Sequence, residues 1–168
     1  NKLSIPKANM VCYNFPETKQ YLPADKSVCT GLPVRRELKQ GDPHKGYAFC
    51  GFAEDKPLLM IIGGSLGALK INLAVRAALD DLLKTFHIAH ICGSGKMDEK
   101  YQNIEGYRQF EYVSDELPDL FAAASVIISR AGANVIYEIA SLQKPSILIP
   151  LGKDQTHRYE AAGGGYNI

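Results

Sequence analysis

Tryptophan is missing from these 168 residues, and the four cysteines form no CxxC pair. Cys12, Cys29, Cys50 and Cys92 are spread widely, and a chain of this length needs no covalent staples. They are expected to be buried, reduced thiols of a cytosolic protein rather than a disulfide or zinc framework. Neither sign of charge is in excess: 19 Lys+Arg face 18 Asp+Glu, a net charge of +1, which gives no footprint for nucleic acid. A mild asymmetry remains, because residues 1–50 carry eight basic and four acidic side chains. No apolar run reaches the roughly 18–20 residues that span a bilayer, and no signal-peptide core opens the chain. The HExxH zinc motif is also absent, so no metalloprotease chemistry is expected.

What is present is a core-forming composition, 46% hydrophobic and 22% charged. From residue 57 onward, short apolar runs alternate with helix-like stretches. Strands are expected at 58–62, 87–92, 109–113, 125–129 and 146–150. Several are apolar on consecutive positions, as strands covered on both faces must be. Helices are expected at 68–84, 117–124 and 134–143, with a poorer segment near 97–103. In the first of these, Ile71, Val75, Ala78 and Leu82 share one face, while Asn72, Arg76, Asp80 and Lys84 are expected to form a polar ridge. Strand–helix–strand units of this size build a doubly wound, parallel α/β sheet. The first 50 residues are interrupted by five prolines. They suggest a lead-in with strand-like pieces at 10–13 and 27–30 and a short helix near 47–52. The final residues, 161–168, read as a helix stop followed by a new strand, as in a fragment of a longer chain.

Ligands of open parallel sheets bind beyond the carboxyl ends of the strands. Gly63-Gly64-Ser65-Leu66-Gly67-Ala68 falls at such a position. Its glycines permit close backbone approach, and a helix start supplies free N–H groups for an anion. It is neither GxGxxG nor a Walker A loop. Gly93-Ser94-Gly95-Lys96 follows the next strand, but His90 and Met97 stand where a Walker A loop needs Gly and Ser/Thr, and a plain turn is expected. The third turn, Ser129-Arg130-Ala131-Gly132-Ala133-Asn134, leads into the helix bearing Glu138. That carboxylate suits either the helix dipole or the two hydroxyls of a ribose. Asp154 and Gln155 follow the last strand, where polar side chains would face the same crevice. Arg35 and Arg36 follow Pro33 as paired guanidiniums, solvated or set against a diphosphate. His87 and His90, three apart in a strand, point to opposite faces and are expected to be structural, with no metal site.

Taken in order, Gly31-Leu-Pro-Val-Arg35, Met60-Ile-Ile-Gly63-Gly-Ser-Leu-Gly67-Ala68, Tyr112-Val-Ser-Asp115, Ser129-Arg-Ala-Gly-Ala133, Tyr137-Glu138-Ile139 and Asp154-Gln155 resemble one family. It is the bacterial MurG-type N-acetylglucosaminyltransferase family that makes lipid II, and the resemblance covers residues 15–168, the C-terminal half of its members. It implies one Rossmann-like half of a glycosyltransferase B-type fold, with residues 1–31 as an interdomain segment and 32–168 as the UDP-sugar donor-binding domain. It further implies that Arg35 contacts the donor phosphates and that Gly64, Ser65, Leu66 and Gly67 cradle the diphosphate. Val113 would meet uracil through its backbone, Ala133 would neighbour the sugar and its phosphate, Glu138 would bind the ribose hydroxyls, and Gln155 would reach the N-acetylglucosamine. The implied partners are the donor UDP-N-acetylglucosamine, the protein's own N-terminal acceptor domain and, through it, a lipid-linked acceptor at the inner face of the plasma membrane. Neither metal nor cofactor is implied. Leu32 departs from the family's Asn in the Gly-Asn-Pro-Val-Arg turn, and Arg158 or Glu160 stands where the family has Asn after the Gln. A non-catalytic donor-binding subunit and a UDP-N-acetylglucosamine 2-epimerase-like isomerase are the alternative readings.

Overall fold

A computed structural model describes residues 3–63 and 68–150. The lead-in folds first as a separate two-stranded parallel pair, β1 (Val11–Tyr13) and β2 (Ser27–Cys29), with Cys12 opposite Val28. Lys26 stitches this region together by donating to the carbonyls of Ile5, Pro6 and Ala8. Helix α1 (Pro43–Cys50) follows, earlier than the expected 47–52. Its start is chemically determined: Asp42 accepts from the His44 amide at 2.9 Å, and Pro43 needs no donor at the first helical position.

The main sheet contains β3 (Leu58–Ile62), β4 (His87–Ile91), β5 (Tyr107–Phe110), β6 (Ala124–Arg130) and β7 (Ser146–Ile149), all parallel, in the order β5-β4-β3-β6-β7. The expected strand at 109–113 thus begins two residues earlier and stops at Phe110. Helices α2 (Leu69–Ala77) and α3 (Leu79–Leu82) connect β3 to β4. Helix α4 (Leu117–Ala123) leads into β6, and α5 (Ala133–Ser141) joins β6 to β7. Only a 3-10 turn at Glu99–Tyr101 occupies the poorly helical 97–103 stretch.

Strand β3 shows why consecutive apolar residues were needed. Leu58 and Met60 enter one core with Leu120, Phe121, Ile127 and Ile139 from α4, β6 and α5, whereas Leu59 and Ile61 enter another with Ile71, Val75 and Leu79 from α2 and α3. Helices therefore cover both faces, the doubly wound arrangement expected. Full burial of each such side chain contributes ~1.5–3 kcal/mol. Helix α1 packs on α4 at Gly46, where a Cβ would lie 2.7 Å from the Ala123 Cβ and closer still to the Asp119 carbonyl.

Two expectations need correction. Cys50 and Cys92 are buried, but Cys12 and Cys29 are exposed, because the small β1–β2 sheet has too little cover to enclose them. The polar ridge does not exist as such either: Asn72 is 0% and Arg76 8% exposed. The helix breaks at Ala78, and the first two polar residues turn inward to satisfy buried partners. Asn72 Nδ2 donates to the Cys92 carbonyl at 2.9 Å, and its Oδ1 accepts from His90 Nε2 at 3.0 Å. His90 Nδ1 lies 2.7 Å from the Tyr107 hydroxyl. Arg76 donates to the Gln109 side chain and the Lys96 carbonyl, each at 2.7 Å, and its guanidinium lies 5.6 Å from the Tyr101 ring centroid. Gln109 in turn donates to the Asp98 carbonyl at 2.9 Å. This network ties the 93–98 turn beyond β4 to the sheet. His87 does point the other way, stacking on Phe52 and bonding Asp55 at 2.7 Å.

Burial, reinforced by the nearby Arg76 charge, pushes the His90 pKa down to about 3. Burial raises the Cys92 thiol to about 11 and the Cys50 thiol to about 12, so both stay protonated and inert.

Two outcomes are expected. Gly→Ala in an exposed helix stabilises by about 1 kcal/mol, but Gly46→Ala should destabilise by ~1–3 kcal/mol, because the α1–α4 contact leaves no room for a methyl; urea midpoints will show the sign. Folded His90 stays neutral while the unfolded chain takes up a proton below its ordinary pKa of 6.5, so stability should fall as pH drops from 6.5 towards 3. Urea unfolding at pH 7.5 and 5.5 should show a smaller acid loss in His90→Gln than in the parent chain.

Candidate functional site at the strand switch point

The chain moves outward from β3 to β4 and β5, then returns to place β6 on the other side of β3. The carboxyl ends of β3 and β6 are therefore the topological switch point of the sheet, the place where open α/β sheets hold their ligands. Ser129, 1% exposed, donates to the Ile62 carbonyl at 3.1 Å and ties the two strand ends together.

Two helices start at this point. Neither Ala68 before α2 nor Gly132 before α5 supplies a side-chain cap. The first intrahelical bonds are made by the amides of Asn72 and Ile136, and the preceding first-turn amides make no hydrogen bond among the described residues. Ala133 is the first residue of α5. Such amides, reinforced by the helix dipoles, favour an anion.

One turn further along α5, Tyr137 and Glu138 reach out to the lead-in. Glu138 Oε1 accepts from Arg35 Nε at 3.2 Å and Nη2 at 2.9 Å. The two side chains differ in setting, Glu138 being 14% and Arg35 55% exposed. The Tyr137 hydroxyl donates to the Asn14 carbonyl, and its ring packs 5.5 Å from Phe15. Gly31, at φ +67°, lies against the same ring, so the turn before Arg35 combines a left-handed residue with Pro33. The structure thus brings Arg35 and Glu138 together, which sequence distance concealed.

Val113 lies in the segment that carries the chain from β5 to α4. The residue as a whole is 5% exposed and belongs to the core cluster that includes Ile91 and Leu117. Its backbone N–H and carbonyl make no hydrogen bond among the described residues. Gly64, Ser65, Leu66, Gly67 and Gln155 lie outside the described residues. Among the described residues no cluster of three or more His, Cys, Asp or Glu side chains could hold a metal, and no helix is long and apolar enough to cross a membrane. Tyr137 had no recognisable signal as a clasp, since its partners are main-chain and aromatic groups more than a hundred residues away.

The parallel sheet covered by helices on both faces defines a doubly wound α/β domain. Residues 58–162 match the glycosyltransferase family 28 C-terminal domain, and the chain belongs to that family. It is 54% identical over 153 residues to the UDP-N-acetylglucosamine–N-acetylmuramyl-(pentapeptide) pyrophosphoryl-undecaprenol N-acetylglucosamine transferase of Clostridium botulinum strain Hall, covering 91% of this chain and 43% of the relative. The protein of the same name from Lachnoclostridium phytofermentans is 56% identical over 151 residues, covering 90% and 42%. The chain therefore spans less than half the length of the curated relatives it matches. Among solved structures it resembles Acinetobacter baumannii MurG, with a TM-score of 0.59 and 26% identity over 92% of this chain and 44% of that one. The Streptomyces nogalater glycosyltransferase SnogD shares the fold, at a TM-score of 0.51 and 19% identity over 92% and 42%. The architecture is thus the Rossmann-like, doubly wound half of a glycosyltransferase B-type fold, as the hydrophobic pattern and the family resemblance together implied.

Proposed function

We propose that this chain is the donor-binding unit of an inverting glycosyltransferase that moves N-acetylglucosamine from UDP-N-acetylglucosamine to a lipid-linked muramoyl-pentapeptide in peptidoglycan synthesis. The observation that carries the reading is Glu138, a half-sheltered carboxylate on α5 at the switch point, beside uncapped helix starts. The relatives' names supply the donor and acceptor, and they disfavour the epimerase and the non-catalytic subunit.

In this reading the 63–68 segment and the α2 start receive the diphosphate, and Arg35 adds a cation at the same mouth. Val113 meets uracil through main-chain groups that have no hydrogen-bond partner among the described residues, Ala133 and the α5 start face the sugar and its phosphate, Glu138 accepts the ribose hydroxyls, and Gln155 reaches the N-acetylglucosamine. Residues 32–168 form the donor domain, and residues 1–31 belong with the interdomain segment. Acceptor recognition and the base that deprotonates the muramoyl 4-hydroxyl belong to the portion of the relatives that this chain does not cover. The deprotonated hydroxyl attacks C1 of the donor sugar from the face opposite UDP, which inverts the anomeric centre. Helix starts and Arg35 offset the charge gathering on the departing UDP, so their alignment before reaction stabilises the transition state. No metal is required in this scheme, and the full enzyme works at the cytoplasmic face of the plasma membrane.

Calorimetry should give saturable binding of UDP and UDP-N-acetylglucosamine but not of a GDP-sugar or NAD. Glu138→Ala should weaken it about 10- to 100-fold, the scale of charged hydrogen bonds worth ~1.5–3 kcal/mol. Equal affinity for all four ligands would overturn the assignment, as would an unaltered Glu138→Ala titration. The 168 residues alone should transfer no sugar to a lipid-linked acceptor.

A further inference from the structure

We infer that Arg35 is a positioning residue for Glu138: it pins one carboxylate oxygen and leaves the other aimed for a ribose hydroxyl. The inference rests on the reading of Glu138 as the ribose acceptor and deepens it. A resemblance-based role for Arg35 stops at the donor phosphates, yet in the folded chain both guanidinium donors, Nε and Nη2, fall on the same oxygen, Oε1. Oε2 accepts no hydrogen bond among the described residues. A guanidinium set to grip a free carboxylate would spread over both oxygens in a fork. This one-sided grip instead keeps one acceptor face open.

The geometry is held from both ends. Arg35 follows Pro33 and Val34, and Val34 and Leu38 pack against the core formed by α4 and β6. The Arg35 carbonyl accepts from the Leu38 amide at 3.3 Å, so its backbone has a fixed direction. Glu138 leaves the adjoining helix beside Tyr137, whose clasp on Asn14 and Phe15 keeps the lead-in against α5. A free glutamate side chain samples many rotamers. One pinned before the ligand arrives meets a hydroxyl without that ordering cost. The same contact cancels a negative charge that would otherwise repel a diphosphate bound nearby. With 55% of its side chain exposed, Arg35 retains donors facing water that remain available to a phosphate.

Comparing UDP with 2′-deoxy-UDP separates the two roles, because the ratio of their dissociation constants reads the ribose contact and is blind to the phosphates. In the full chain, UDP should bind more tightly than 2′-deoxy-UDP. Arg35→Met should shrink that preference about fivefold, the scale of a coupled pair in contact. It should shrink it no further in an Glu138→Gln background. Arg35→Lys, which keeps the charge but not the planar fork, should recover phosphate affinity more fully than ribose preference, and it serves if Arg35→Met lowers the melting temperature. If Arg35→Met weakens both ligands equally and preserves their ratio, Arg35 serves the phosphates alone and the inference falls. A full ribose preference in Glu138→Gln would instead overturn the ribose role of Glu138 itself, and the inference with it.

Discussion

The chain leaves β5 at one edge of the sheet and returns to pair β6 with the far side of β3, and the position of the switch point follows from that one pairing. With Ile62 opposite Ser129, two strands end side by side there. Ser129 adds a side-chain bond across the same pair of ends. Both α2 and α5 therefore begin near these strand ends, and neither N-cap residue, Ala68 or Gly132, supplies a side-chain cap. Capping residues would have strengthened each helix by ~0.5–2 kcal/mol. Leaving them out keeps main-chain donors free for a ligand.

Helix α5 joins three environments within three residues, because successive side chains leave a helix about 100° apart. Ile139 enters the core, 3% exposed. Glu138 turns to Arg35, and Tyr137 turns to Asn14, Phe15 and Gly31. A single turn of helix thus couples the core, the switch point and the lead-in.

Beneath the β4–β5 turn, the buried polar network answers a different need. An unpaired buried arginine or histidine would cost several kcal/mol. Here Asn72, Arg76, His90, Tyr107 and Gln109 supply one another and several main-chain carbonyls. Holding the Lys96 and Asp98 carbonyls, the network fixes the 93–98 turn that the sequence alone marked only as a glycine-containing bend.

Hydrophobic order by itself determined the class of fold. Leu58–Ile62 and His87–Ile91 are buried at nearly every position, which only a strand covered on both faces allows, and the intervening helical stretches then require a parallel, doubly wound sheet. Local chemistry also located α5, and it marked the 129–134 turn, which holds Ala133, and the Glu138 carboxylate on the following helix, whereas Val113 was singled out only by the family resemblance. Polarity could not tell Asn72 and Arg76, which face buried partners, from Asp80 and Lys84, because a sequence shows a side chain's need for a partner but not where that partner lies. Nor could it expose Cys12 and Cys29, whose cover depends on how little packs over β1 and β2. The pairing of Arg35 with Glu138 spans 103 positions of sequence. Only the return of β6 to β3, with α5 carried back over the lead-in, puts the two charges within hydrogen-bonding distance.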